Sequence, residues 1–95
     1  MPTYEATPRF TADLDRLTPK QRRRFHQAVT AFVNDLRTGT FRAGLRVKGV
    51  RCAPGVFELT WDGDGRATWQ YGPEIRDAQH IVWRRIGTHS ILTGP

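Results

Sequence analysis

Residues 56–71, VFELTWDGDGRATWQY, decide the fold. Apolar and polar side chains alternate on both sides of the tetrad Asp62-Gly63-Asp64-Gly65. A period of two marks a strand with one buried face. Asp and Gly accept the left-handed backbone that tight hairpins need. The stretch therefore reads as two antiparallel strands, Val56 to Trp61 and Arg66 to Tyr71, joined by a hairpin. Phe57, Leu59 and Trp61 fall on one side of the first strand, and Ala67, Trp69 and Tyr71 on one side of the second.

Upstream the period is helical. Thr7-Pro8 is a helix start, with Thr7 as N-cap and Pro8 at the first helical position. Phe10, Leu14 and Leu17 then follow at helical spacing. Thr18-Pro19-Lys20-Gln21 is a second start, in which Thr18 and Gln21 can cap each other reciprocally. Phe25, Ala28, Val29, Phe32, Val33 and Leu36 continue it as one apolar stripe, and Gly39 supplies a left-handed stop. Two helices over 8–17 and 19–37, with so short a break, form an antiparallel hairpin. Met1 to Ala6 has no clear period and reads as a short strand or a loose tail.

After Gly44 the alternation begins, with Leu45 and Val47 against Arg46 and Lys48. A loop over 51–55 leads into the hairpin strands. Gly72 to Gln79, with Pro73, reads as a second loop. His80 to Ile86 reads as the last strand, with Gly87 as a bulge or bend and 90–92 as a possible extension. The expected architecture is α+β: one domain over 1–95, a helical hairpin on one face of a mainly antiparallel sheet of four or five strands. Leu45, Val47, Phe57, Leu59, Trp61, Ala67, Trp69, Tyr71, Ile81 and Trp83 should form the core.

Alternation then assigns the other face. It should carry Arg46, Lys48, Glu58, Thr60, Arg66, Thr68, Gln70 and Arg84, with His89 just beyond the last strand. Glu58 and Arg66 should point to solvent. Composition gives this face a meaning. The 95 residues carry 15 Lys and Arg against 9 Asp and Glu, a net charge of +6, and only Lys20 and Lys48 of those cations are lysines. Guanidinium forks grip phosphate through two hydrogen bonds. Nucleic acid is the leading partner class, an acidic protein the second, and a merely solvated face the alternative. Cys52 is the only cysteine, so no internal disulfide is expected. Without an apolar leader or spanning run, a cytoplasmic protein with no membrane contact is expected. Cys52, His80 and His89 are too scattered for a metal site, and no metal or cofactor is expected.

At this point the chain resembles the RelE/ParE toxins of type II toxin–antitoxin systems. The resemblance covers roughly residues 6 to 92. Val56-Phe57-Glu58-Leu59 resembles the aromatic-Glu-Leu strand of the HigB-like branch. Arg66 opens a strand after a hairpin, where RelE-like nucleases often hold an arginine. Ile86-Gly87-Thr88-His89 resembles the Gly-Thr-His ending of YafQ-like toxins, in which the histidine is catalytic.

The resemblance implies a metal-independent endoribonuclease that cuts mRNA, commonly on the ribosome, and a cognate antitoxin that blocks it. It also implies two alternatives: a ParE-like gyrase inhibitor without catalysis, or an inert RNA- or antitoxin-binding relative. On the first reading Arg66 clamps the transition-state charge and His89 moves a proton. Glu58 is the base, or else an orienting partner for Arg66 or Arg84. Arg46, Lys48, Arg84, Thr68, Gln70 and His80 seat the RNA backbone. Against these stand plainer roles: an ion pair with Glu58 or Asp64 for Arg66, and a packing or capping histidine for His89. Lys20 and Arg22 to Arg24 are cations at a helix start, where the dipole disfavours them. RNA, an acidic antitoxin or simple solvation would account for them.

Overall fold

A computed structural model describes residues 2–76 and 78–95. In chain order these form β1 (Thr3–Ala6), α1 (Pro8–Asp15), α2 (Pro19–Thr38), β2 (Lys48–Gly49), β3 (Val56–Thr60), β4 (Gly65–Ile75) and β5 (Ala78–Thr88). Short 3-10 turns occupy Ala43–Leu45 and His89–Thr93. The five strands make one sheet in the order β1-β5-β4-β3-β2. Pairing is antiparallel except at β1, which runs parallel to β5. Among the described residues no helix is long and apolar enough to cross a membrane.

The helices begin and end where local chemistry requires. The Thr7 side chain accepts from the Phe10 amide, and Thr18 and Gln21 form the reciprocal capping box. Gly39 closes α2 at φ 77°. Beyond it, Arg42 grips Asp35 with its guanidinium and its amide and holds that carboxyl at about 2. The helices bury Phe10, Leu17, Phe25, Phe32 and Leu36 against Leu59, Trp61, Ala67, Trp69, Ile81, Trp83 and Ile86. Aromatic rings dominate this contact. Phe32 meets Trp69 edge-on at 4.8 Å, and Phe25 meets Trp83 edge-on at 5.4 Å. Such geometry adds to the energy of area burial. Gly65 lets the hairpin close: a Cβ there would lie 2.6 Å from the Trp61 ring.

Several expectations are corrected. Residues 45–47 are not a strand; a 3-10 turn and left-handed Arg46 precede the two-residue β2, Lys48–Gly49. Gly72 to Gln79 is not a loop, since β4 continues to Ile75 and β5 starts at Ala78. A register shift between Gly72 and Ile75 accommodates Pro73, which cannot donate to a ladder. Asp77, inside that expected loop, lies outside the described residues. Tyr71 is largely exposed rather than core. Residues 90–92 turn away as a 3-10 turn instead of extending β5.

The most consequential correction concerns β5. Thr68 pairs with Arg85 and Trp69 with Trp83, so Arg84 and Arg85 form a bulge. The bulge lets Trp83 and Ile86, three apart, both reach the helix side, where strict alternation would have put Arg85. Arg85 still meets α1. Asp13, only 6% exposed, accepts from Arg85 Nε at 2.9 Å, Arg85 Nη2 at 3.0 Å and the Ile86 amide at 3.2 Å. Burial opposes the Asp13 charge, but these bonds and the positive charges of Arg85 and Arg16 outweigh it and lower the carboxyl below its ordinary 3.8. The folded state thus binds fewer protons than the unfolded chain in that acid window. Stability from this group is complete above the ordinary value and drains as pH falls through the lowered one. Asp13→Asn should cost about 1.5–3 kcal/mol at neutral pH, the worth of charge-assisted bonds. Urea unfolding at pH 7 and near pH 3 should show the deficit shrinking in acid.

Candidate functional site

Cross-strand partners share a face, so the sheet register defines the side away from the helices. Lys48, Glu58, Thr68 and Arg85 pair in one row, and Thr60, Arg66 and Gly87 in the next. This face is only partly open to water. After Thr88 the chain turns back over it, and a Cβ at Gly87 would lie 2.9 Å from Ile91. Val50, Val56 and Ile91 are buried although they are outside the helix-side core.

That cover explains the largest departure from alternation. Glu58, expected in solvent, is 6% exposed, and Thr68 is fully buried with no partner for its hydroxyl among the described residues. One carboxylate oxygen of Glu58 lies 3.9 Å from Arg66 Nε and 4.0 Å from Lys48 Nζ. Neither is a hydrogen bond; the carboxylate sits between two cations as a counter-charge. Arg66 donates through Nη1 to the carbonyls of Gly63 and Gly65 at 3.2 and 3.1 Å. The hairpin turn and Glu58 therefore fix the guanidinium, leaving its side chain 13% exposed. Lys48 is 65% exposed.

His89 is exposed and opens the C-terminal turn. It stands two residues beyond Gly87, the partner of Arg66. Among the described residues its ring has no hydrogen-bond partner, which leaves it available for proton transfer. The site thus brings together Arg66, Glu58 and Lys48, while His89 follows the end of β5, two residues after Gly87.

The other expected residues divide. Arg84 donates to Gln70 Oε1 at 2.6 Å and to the Pro95 carbonyl at 3.1 Å, so both belong to the support of the C-terminal arm. His80 is buried in β5, and both ring nitrogens are engaged. Nε2 donates to Glu5 at 2.9 Å, since a carboxylate only accepts, and Nδ1 meets the Thr3 hydroxyl at 2.7 Å. His80 ties β1 to β5 and is not free to touch RNA. Arg46 is exposed, at φ 49°. A non-glycine residue there is strained by about 1–2 kcal/mol. Arg46→Gly should therefore raise stability in urea, by about 0.5–1 kcal/mol after the entropy cost of glycine. Weaker RNA binding by the same variant would show that the strained side chain is kept for contact.

Asp13 and Arg85 escaped the sequence reading. Asp13 follows Phe10 at i+3 on an otherwise apolar stripe, and Arg84-Arg85 cannot both alternate in a strand with a buried face. Those were their signals. At the start of α2, Arg22 donates to the Leu17 carbonyl and Arg24 pairs with Asp62 at 3.2 Å. Among the described residues no three His, Cys, Asp or Glu side chains converge as metal ligands.

No protein-family model matches the chain, and no curated protein matches it. Solved structures do resemble it. A chain of the Escherichia coli DinJ–YafQ complex superposes with a TM-score of 0.70 at 17% identity, covering 99% of this chain and 100% of that one. YafQ from E. coli gives 0.63 at 15% identity over 99% and 100%. A chain of the RelB–RelE antitoxin–toxin complex from Methanococcus jannaschii gives 0.60 at 14% identity over 93% of each. At such identities the likeness is one of fold: this chain has the fold of YafQ and RelE.

Proposed function

We propose that this chain is the toxin of a type II toxin–antitoxin pair and cleaves mRNA without a metal ion. One observation carries the reading. The hairpin and Glu58 fix the Arg66 guanidinium in a row whose β5 member, Gly87, lies two residues before the exposed His89. RNA supplies its own nucleophile, the ribose 2′-OH. Its oxygen forms a bond to phosphorus as the bond to the 5′-oxygen breaks, so one proton must be removed and one delivered. His89 performs one of these transfers and solvent water the other. Arg66 holds the charge that builds on the non-bridging oxygens. Buried Glu58 acts as the orienting counter-charge for Arg66 and Lys48 rather than as the base. Lys48 and Arg46 seat the strand. The product is a 2′,3′-cyclic phosphate or the 3′-phosphate formed from it.

The protein acts in the cytoplasm, on messages at the ribosome, and is held silent by a cognate antitoxin. Primer extension on mRNA from cells expressing the chain tests the reading. New 5′ ends within coding sequence, absent with Arg66→Ala, support it. Intact messages with failing DNA supercoiling would replace it with gyrase inhibition. The antitoxin should be acidic, at least over the segment that meets this +6 chain. Its affinity should fall as salt rises. Titration calorimetry from low to high salt checks this; a flat response would mean that apolar docking dominates.

A further inference from the structure

Where β1 ends and α1 begins, Thr7, Arg9, Arg84, Arg85 and Pro95 line a cleft of about 150 Å³. Three of these residues are arginines and none has an acidic side chain. Two of the guanidiniums are held in place by hydrogen bonds. Asp13 takes Nε and Nη2 of Arg85, and Gln70 and the Pro95 carbonyl take Nη1 and Nε of Arg84. Arg9 has no hydrogen bond or ion pair among the described residues. It lies in the first turn of α1, which contains no acid, and there the helix dipole disfavours a cation. Its Nη2 reaches toward the C-terminal arm, 3.6 Å from where a Cβ on Gly94 would stand.

We propose that this cleft binds a phosphodiester of the RNA strand flanking the cleaved bond, with Arg9 as its free charge. The inference rests on the RNA-cleaving reading and extends it. A carboxylate is planar and is satisfied by one fork, as Asp13 is by Arg85. Guanidiniums converging from two elements match a tetrahedral group with several acceptor oxygens. The position also fits one continuous strand. Gln70, which holds Arg84, is four residues along β4 from Arg66, ~13 Å at strand rise. Because Arg84 and Arg85 are already ordered, binding there has little rotamer entropy to lose.

Fluorescence anisotropy with a mixed-sequence, single-stranded 2′-O-methyl oligoribonucleotide tests this, since that probe has no 2′-OH to attack. Arg9→Gln should weaken binding several-fold and flatten the slope of log affinity against log salt by about 0.7, one phosphate's share. Arg9→Lys should keep most of the slope. Arg9 is exposed, so neither variant threatens folding. Unchanged affinity and slope in Arg9→Gln overturn the subsite alone, provided Arg66→Ala still abolishes cleavage. A loss confined to antitoxin binding overturns it too and assigns the cleft to a protein carboxylate. If the unaltered chain does not bind the probe, the RNA reading itself falls.

Discussion

Arg66→Ala should slow RNA cleavage by about 10²–10³-fold, the usual cost of removing one transition-state donor. His89→Ala should slow it by about 10²–10⁴-fold, the usual worth of a positioned acid or base. Both should relieve growth inhibition in cells. The two variants differ in signature. Arg66→Lys should rescue poorly, because an ammonium cannot reproduce the planar fork that meets two phosphoryl oxygens. His89→Ala should also erase one limb of the pH–rate profile, while Arg66→Ala leaves the shape of that profile intact. Folding is a separable readout. His89 is exposed with no hydrogen-bond partner among the described residues, so its variant should keep its thermal midpoint. Arg66→Ala, in contrast, strips buried Glu58 of one of two cations and should lower the midpoint measurably while the chain still folds. If both alanine variants remain toxic and gyrase fails in their presence, catalysis on this face is wrong.

Trp69→Ala should remove about 3–5 kcal/mol of stability, the range for truncating a large buried aromatic. Trp69 is 0% exposed. Its ring lies 4.8 Å from Phe32, 4.9 Å from Phe57, 5.1 Å from Tyr71 and 6.0 Å from Phe41. No neighbour can collapse into that space without breaking another pair. Domains of this size are stable by only about 5–15 kcal/mol, and each kcal/mol moves the midpoint by about 4–8 °C. Urea and thermal unfolding should therefore show a chain near its folding threshold at 37 °C. Trp69→Phe should cost considerably less, since it keeps a ring and discards an indole N–H that has no partner among the described residues. Equal losses in the two variants would mean that the indole itself, not the filled volume, holds this layer.

Some of this protein was written locally. The caps at Thr7, Thr18 and Gly39 act within a few residues, so they could be read from neighbours along the chain. The same holds for the Asp62–Gly65 hairpin and the alternating strands around it. The α+β fold and its aromatic core follow from those signals. The face that Arg66 takes was legible as well, because a strand that opens at a hairpin fixes the direction of its first side chains; its exposure was not, since it was expected in solvent and its side chain is 13% exposed. His89 was singled out by the resemblance of its Gly-Thr-His ending, not by any periodicity.

Other features depend on partners far along the chain. β1 is a strand because β5 accepts it, with Thr3 opposite His80, and no pattern within six residues could announce that. The Arg84–Arg85 bulge exists because Asp13 draws Arg85 to α1 while Ile86 is drawn into the core. Glu58 and Thr68 were placed on the correct face but in the wrong solvent. Alternation determines which side chains share a face; whether that face is wet depends on what later folds over it. Here the C-terminal turn covers it. The burial of Glu58 within 3.9 Å of Arg66 was decided by tertiary structure alone.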